Sequence, residues 1–237
     1  MSDIPNPLPA HVADAIAEKA LAEAEQARAE AKKARYEAQG AERALREFEI
    51  KLEREEHKRA RELAGDEFRR VYRFVGPVGP DSAKACMAEL EAWSRLDPGC
   101  DITLIFQSPG GSIIDGMALW DFLGELRGRG HRLTTIARGY AASMAGILLQ
   151  AGDERVMGRE SWLLIHEASF SAMGSYGDVE DTVKWVEKIQ GRILDIFAAR
   201  SKLSKSQIKR RWHRKDWWID SDEALKLGFI DRIASGT

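Results

Sequence analysis

From Val71 onward, short apolar runs alternate with amphipathic stretches, and that alternation leaves few folds open. Ile102-Thr-Leu-Ile-Phe106 is a continuous apolar run, the pattern of a strand covered on both faces. Leu133-Thr-Thr-Ile-Ala137 and Trp162-Leu-Leu-Ile165 repeat the pattern, and Val71-Tyr-Arg-Phe-Val75 reads as a further strand before the turn Gly76-Pro-Val-Gly-Pro80. Between them lie helical segments. One is capped by Asp81 or Ser82 and runs to about Leu96, with Cys86, Leu90 and Trp93 on one face. Another starts at Ser112 with Met117, Trp120 and Leu123, and a third covers Ala141 to Ala151. A longer one is capped by Asp178 and carries Val183, Val186, Ile189, Ile193 and Ile196. Strands alternating with helices in this way predict an α/β domain with a largely parallel sheet.

The chain before this region is built differently. From about residue 11 to residue 64 it is Ala, Glu, Arg and Lys with no proline, and such residues lose little rotamer freedom in a helix. Gly40 is its weak point, at about 1 kcal/mol relative to Ala. Ala20, Ala24, Ala27, Ala31, Ala34, Ala38, Ala41, Leu45, Phe48 and Leu52 follow alternating steps of four and three, a heptad seam. Two readings stay open: a coiled-coil packing seam, or a solvated single helix rich enough in alanine for some register to look regular. The texture changes at Gly65-Asp66, giving a tail and helical arm over 1–66 and a second domain over 67–237.

Net charge is −2 over 237 residues, so no large excess of either sign points to nucleic acid or an anionic membrane surface. Cys86 and Cys100 are the only cysteines, which argues against a disulfide scaffold or a structural zinc site. Met1-Ser-Asp-Ile-Pro-Asn-Pro7 has no basic and apolar leader pattern, and no run approaches a membrane span, so a cytoplasmic setting is expected.

Three places carry chemistry, each where a buried strand ends, as open α/β sheets place their sites. In Gln107-Ser-Pro-Gly-Gly-Ser112 two glycines let the backbone approach a ligand with N–H groups turned toward an oxyanion; alone, such a pair is more often just a turn. In Gly139-Tyr-Ala-Ala-Ser-Met-Ala-Gly146 a serine among small residues opens an apolar helix, where N–H groups are free; alone, Ser143 reads more readily as a helix cap. In Ile165-His166-Glu167 a histidine ends an apolar strand, and alone it reads as a structural histidine. Serine needs a base such as histidine within hydrogen-bond reach, and the base needs an acid on its other nitrogen.

Together, Ser-Pro-Gly-Gly-Ser, Ala-Ala-Ser-Met-Ala and Ile-His in this order resemble the ClpP-type (caseinolytic) serine peptidases, from about Val71 to Ile233. The closing stretch Asp222-Glu-Ala-Leu-Lys-Leu-Gly-Phe-Ile-Asp231 is similar to the family's last helix and strand. The resemblance implies a ClpP/crotonase-like fold, with Ser143 as nucleophile, His166 as general base and Asp216 as the acid; Asp220 and Asp222 fit the spacing less well. It implies an oxyanion hole from the N–H groups of Gly111 and Met144. It also implies substrate contacts from Gly110, Ser112, Gly174, Ser175 and Tyr176, the last three in the loop that opens the family's handle helix. No metal or nucleotide cofactor is needed by this chemistry.

The implied partners are further copies of the chain, in a ring or stacked rings, and protein substrates. The chain departs from the family in three ways. Glu167-Ala168 stands where many members have Gln-Pro, Arg214 and Lys215 could compete for Asp216, and the helical arm replaces the short loops that gate the pore. The last departure leaves an AAA+ unfoldase partner open. It is similar in style to the ClpP-like peptidases of phage head maturation, which would place the chain in a host cytoplasm or an assembling capsid, cutting scaffold or capsid proteins. Two other classes remain: a crotonase-type acyl-CoA enzyme, and an assembly protein of this fold with a vestigial triad.

Overall fold

The computed structural model describes residues 9–234; the opening segment Met1–Pro7 lies outside the described residues. The described residues form two units, one ending at Leu63 and the other beginning at Ala64. The first is a single helix, α1 (Ala10–Ala64, 55 residues), continuous through Gly40. Every residue of the seam from Ala20 to Leu52 is exposed.

The second unit runs β1 (Val71–Val75), α2 (Pro80–Leu96), β2 (Ile102–Ser108), α3 (Ile113–Gly128), β3 (Leu133–Ala142), α4 (Met144–Leu149), β4 (Glu154–Met157), β5 (Trp162–Ile165), α5 (Tyr176–Ala199), α6 (Lys205–Trp212), β6 (Trp217–Ile219), α7 (Ser221–Leu227) and β7 (Arg232–Ile233). Strands β1-β2-β3-β4-β7 lie side by side, all parallel. On the edge away from β2, strand β3 serves two neighbours. Its first part, Thr134–Ala137, pairs with β4, and its last part, Tyr140–Ala142, pairs with β5. Strand β6 then adds antiparallel to β5. The sheet is therefore mostly parallel, and the chain is an α/β protein preceded by a long helix.

The core follows from the apolar runs. Ile102, Leu104, Phe106, Leu133 and Leu163 are fully buried, as are Leu119, Leu123 and Leu126 of α3. Several boundaries differ from expectation. Helix α2 is capped by Gly79, whose N–H donates to Ser82 Oγ at 2.9 Å, and Pro80 takes the first helical position, where its missing N–H costs nothing. Helix α5 is capped by Ser175, with Asp178 at the third position returning a bond to the Ser175 N–H at 2.9 Å. Residues Ala141 and Ala142 belong to β3 rather than to a helix, because they continue the ladder to β5.

Strand β4 is secured by a buried charge. Arg155 is 6% exposed, and its guanidinium donates to both Asp231 carboxylate oxygens at 2.6 and 3.0 Å and to Gln150 Oε1 at 2.8 Å. Burial pushes the Asp231 carboxyl up, but these bonds outweigh it and hold the group below its usual value. Both cysteines are free thiols, and burial pushes that of Cys86 up. No described helix is long and apolar enough to cross a membrane.

Candidate active site

Ser143 stands between the end of β3 and the start of α4, with φ +54° and ψ −122°. A residue with a side chain is held in such a region at a cost of about 1–3 kcal/mol. The surroundings enforce it: the Ser143 N–H donates to Leu164 O at 3.0 Å, and Ala142 and Met144 on either side are buried. From Ala141 through Gly152, Ser143 is the one residue that is not buried. A sharp strand-to-helix turn of this kind projects a serine hydroxyl out of an otherwise closed layer.

Opposite lies the Gly110-Gly111 turn. The Val78 N–H donates to Gly110 O and the Ser112 N–H to Val78 O, both at 2.8 Å, so the turn is pinned to the segment before α2. Gly110 has φ +84°, and a Cβ there would meet Ala142 O at 2.5 Å and Ser143 Cβ at 2.7 Å. Gly111 has φ +145°, and a Cβ would lie 2.2 Å from Val78 O. Only glycine fits either place. The Gly111 N–H donates to no backbone acceptor among the turn and loop bonds of the described residues, and Met144 opens α4, where the first N–H groups have no partner within the helix. The Met144 side chain is fixed by passing over Gly116, where a Cβ would meet Met144 Cγ at 2.2 Å.

His166 follows the last residue of β5 and is half-buried. A cavity of about 80 Å³ is lined by Ser143, His166, Gly111 and Met144 together, with Ile113 and Ile165 among its apolar walls. Asp216 precedes β6. The antiparallel ladder ends with Ile165 paired to Trp217, so His166 and Asp216 are the next residues beyond it on the two segments. Among the described residues, no hydrogen bond joins Ser143 to His166 or His166 to Asp216. Such bonds often tighten only when substrate is present.

The competition expected from Arg214 and Lys215 takes another form. Asp216 pairs with neither; instead Glu167 accepts from the Arg214 N–H at 3.2 Å and lies 3.1 Å from His213 Nδ1. Arg214 has φ +56°, so the turn before Asp216 is a strained one held by the residue after His166. In the sequence Glu167 stands out only as a departure from the family's Gln, and no local pattern ties it to His213 and Arg214, 46 and 47 residues away.

The remaining expected residues fall in two groups. Gly110 packs on the Ser143 backbone, and Ser112 caps α3 and lines a second cavity of about 230 Å³ beside the first. That cavity is mostly apolar, with Ile113, Ile114, Phe170, Trp185 and Ile189 in its walls. Gly174, Ser175 and Tyr176 are exposed at the start of α5 and line neither cavity. Phe170 and Trp185 were not anticipated, because one sits in a loop and the other on the exposed flank of a helix.

Comparison with known proteins gives a consistent result. The family model described as Clp protease matches residues 66–237. The ATP-dependent Clp protease proteolytic subunit of Deinococcus radiodurans is 31% identical over 167 residues, covering 69% of this chain and 80% of the relative. The protein of the same name from Bacteroides thetaiotaomicron is 32% identical over 163 residues, covering 68% and 72%.

Proposed function

The chain belongs to the Clp protease family and is a serine-type peptidase, and from that premise we propose that Ser143, His166 and Asp216 are its catalytic triad. The observation that carries the reading is the position of Ser143. It is held in a strained turn as the one accessible residue of a buried stretch, in a cavity it shares with His166, Gly111 and Met144.

The chemistry runs as follows. Ser143 Oγ attacks the carbonyl carbon of the scissile peptide bond while its proton passes to the His166 imidazole. The carbonyl oxygen becomes an oxyanion and accepts hydrogen bonds from the Gly111 and Met144 N–H groups, which are set before the charge develops. The imidazolium then protonates the leaving amine, and the C–N bond breaks to leave an acyl-enzyme. Water attacks the ester with His166 again taking the proton, which it returns to Ser143. Asp216 holds the imidazole in the tautomer this cycle needs and stabilises its charged form. The three side chains come into hydrogen-bonded order on assembly or substrate binding. The apolar cavity beside the triad accepts an apolar substrate side chain.

The relatives are named as proteolytic subunits, and we carry that to this chain as a homo-oligomeric ring enclosing the sites and fed with protein substrates. Their printed ATP dependence is not carried over. Residues 10–64 form one long helix where family members use short gating loops, which favours scaffold or capsid proteins as substrates, cut during shell assembly.

Ser143→Ala tests the reading. Peptide cleavage and labelling by a fluorophosphonate should fall by at least about 10³-fold, because triad members act as a unit. Sedimentation should not change, since one oxygen is removed. Cleavage near the wild-type rate would overturn the assignment. Turnover of an acyl-CoA without fluorophosphonate labelling of the wild type would point to the crotonase chemistry instead.

A further inference from the structure

Helix α1 leaves its seam open: Leu45, Phe48 and Leu52 are 59%, 63% and 51% exposed, and the alanines from Ala20 to Ala41 are exposed with them. Helices of this length draw most of their stability from packing an apolar face. We propose that the seam is covered by the same seam of a second copy of this chain, running antiparallel.

Residue size supports the antiparallel sense. The seam is alanine over its first part and Leu45, Phe48 and Leu52 over its last. Interhelical distance depends on the side chains at the contact, over about 8–10 Å. A parallel pair in register would set alanine on alanine at one end and leucine or phenylalanine on itself at the other, so its axes would have to splay. An antiparallel pair can set each large residue against an alanine. In one such register Leu52 lies opposite Ala27, Phe48 opposite Ala31 and Leu45 opposite Ala34, with Ala38 opposite Ala41 at the centre.

Charge selects the same register. The positions flanking the seam then bring Arg28 to Glu49, Arg35 to Glu42, Glu30 to Lys51 and Glu23 to Lys58, all opposite in sign. Glu37 meets Ala44, and no flanking pair between Glu23 and Lys58 is like-charged. All are exposed, and Glu23 is held only by Lys19 at 3.8 Å on its own helix. Moving the antiparallel register by one heptad in one direction opposes Arg35 to Arg35 and Glu37 to Glu37, and in the other direction opposes Glu42 to Glu42. The parallel pair opposes Glu37 to Glu42. The pairing makes each arm both donor and acceptor of the same contact, so it joins copies across a two-fold axis.

Charge reversal in the full-length chain tests this. Arg28→Glu with Arg35→Glu turns four attractive contacts per pair repulsive, and arm-dependent association should weaken roughly tenfold to hundredfold in sedimentation. Glu42→Arg with Glu49→Arg should do the same. Combining all four changes, or mixing the two double variants, should restore it. A parallel pair gives another pattern: the Glu42 and Glu49 changes would not weaken association, and the fourfold variant would stay weak. A second measurement is independent of ring formation. With Ala27→Cys and Leu52→Cys in one chain, mild oxidation should link position 27 to position 52 of the other copy. Links of 27 to 27 and 52 to 52, or no link through the arm with helix content intact by circular dichroism, would overturn the proposal.

Discussion

The two halves of the candidate site are built in opposite ways. The nucleophile half lies on buried backbone: Ala141, Ala142 and Met144 enclose Ser143, and Gly110 fits because any Cβ would strike the Ser143 turn. The acid half lies at the surface. Asp216 is exposed and comes after a turn with Arg214 at φ +56°, and the side chain that bonds this turn, from Glu167, is itself only partly buried. The first half is set when the core packs. The second depends on a few solvent-accessible hydrogen bonds, each worth about 0.5–1.5 kcal/mol net. Under the proposed triad, stiffness is thus concentrated where the oxyanion and nucleophile would need it, and freedom where an acid would need only to support an imidazole.

The sharpest way to break that comparison is Asp216→Asn. An amide at this place favours the wrong imidazole tautomer, and kcat should fall on the order of 10²- to 10⁴-fold with folding unchanged by circular dichroism. The lower end is expected if the exposed half positions its acid loosely. A loss within twofold would mean that the half containing Asp216 contributes no acid at all.

How far the molecule could be read from its sequence follows the same division. The strands β1, β2, β3 and β5, the helices between them and the Ser143 and Gly110-Gly111 turns were legible because apolar periodicity and glycine pairs report burial and close approach directly. Strand β4 was not, since Glu154 and Arg155 break its apolar pattern and the charge that pairs buried Arg155, on Asp231, lies 76 residues away. Strand β6 is three residues long and half of α6 is charged, so neither announces itself. The caps at Gly79 and Ser175 were misplaced by two to three residues, because Ser82 and Asp178 look like caps and are in fact the third residues that bond back to them. Asp216 is proposed as the acid only by likeness to the family; its place beside the end of the ladder that His166 also follows comes from the β5–β6 register, which no local pattern encodes.

A smaller effect sharpens the comparison from inside the acid half. Glu167→Ala removes the acceptor of the Arg214 N–H and the partner of His213 together. Loss of about 0.5–1.5 kcal/mol from the positioning of the turn corresponds to a roughly twofold to tenfold fall in kcat. KM should hold, because Glu167 reaches the acid rather than the substrate. Glu167→Gln keeps one carbonyl acceptor and should recover part of the loss. If KM rises instead while kcat is unchanged, Glu167 acts in the cavity it also borders, and the turn positions itself.

The smallest effect decides between neighbouring carboxylates. Asp220 lies four residues after Asp216 and fits the family spacing less well, and the structure gives it another task. Its Oδ1 accepts from the Glu223 N–H at 2.7 Å, which makes it the N-cap of α7. Asparagine caps helices about as well as aspartate, so Asp220→Asn should leave both turnover and melting temperature almost unchanged. Alanine cannot cap, and Asp220→Ala should lower stability by about 1 kcal/mol while active-site-titrated turnover stays at the wild-type level. The two substitutions separate a structural carboxylate from a catalytic one, since a cap is insensitive to loss of charge and a triad acid is not. Should Asp220→Asn cut turnover as deeply as Asp216→Asn, the acid would lie beyond β6 rather than before it, and the proposed pairing of Asp216 with His166 beyond the strand ends would have no part in catalysis.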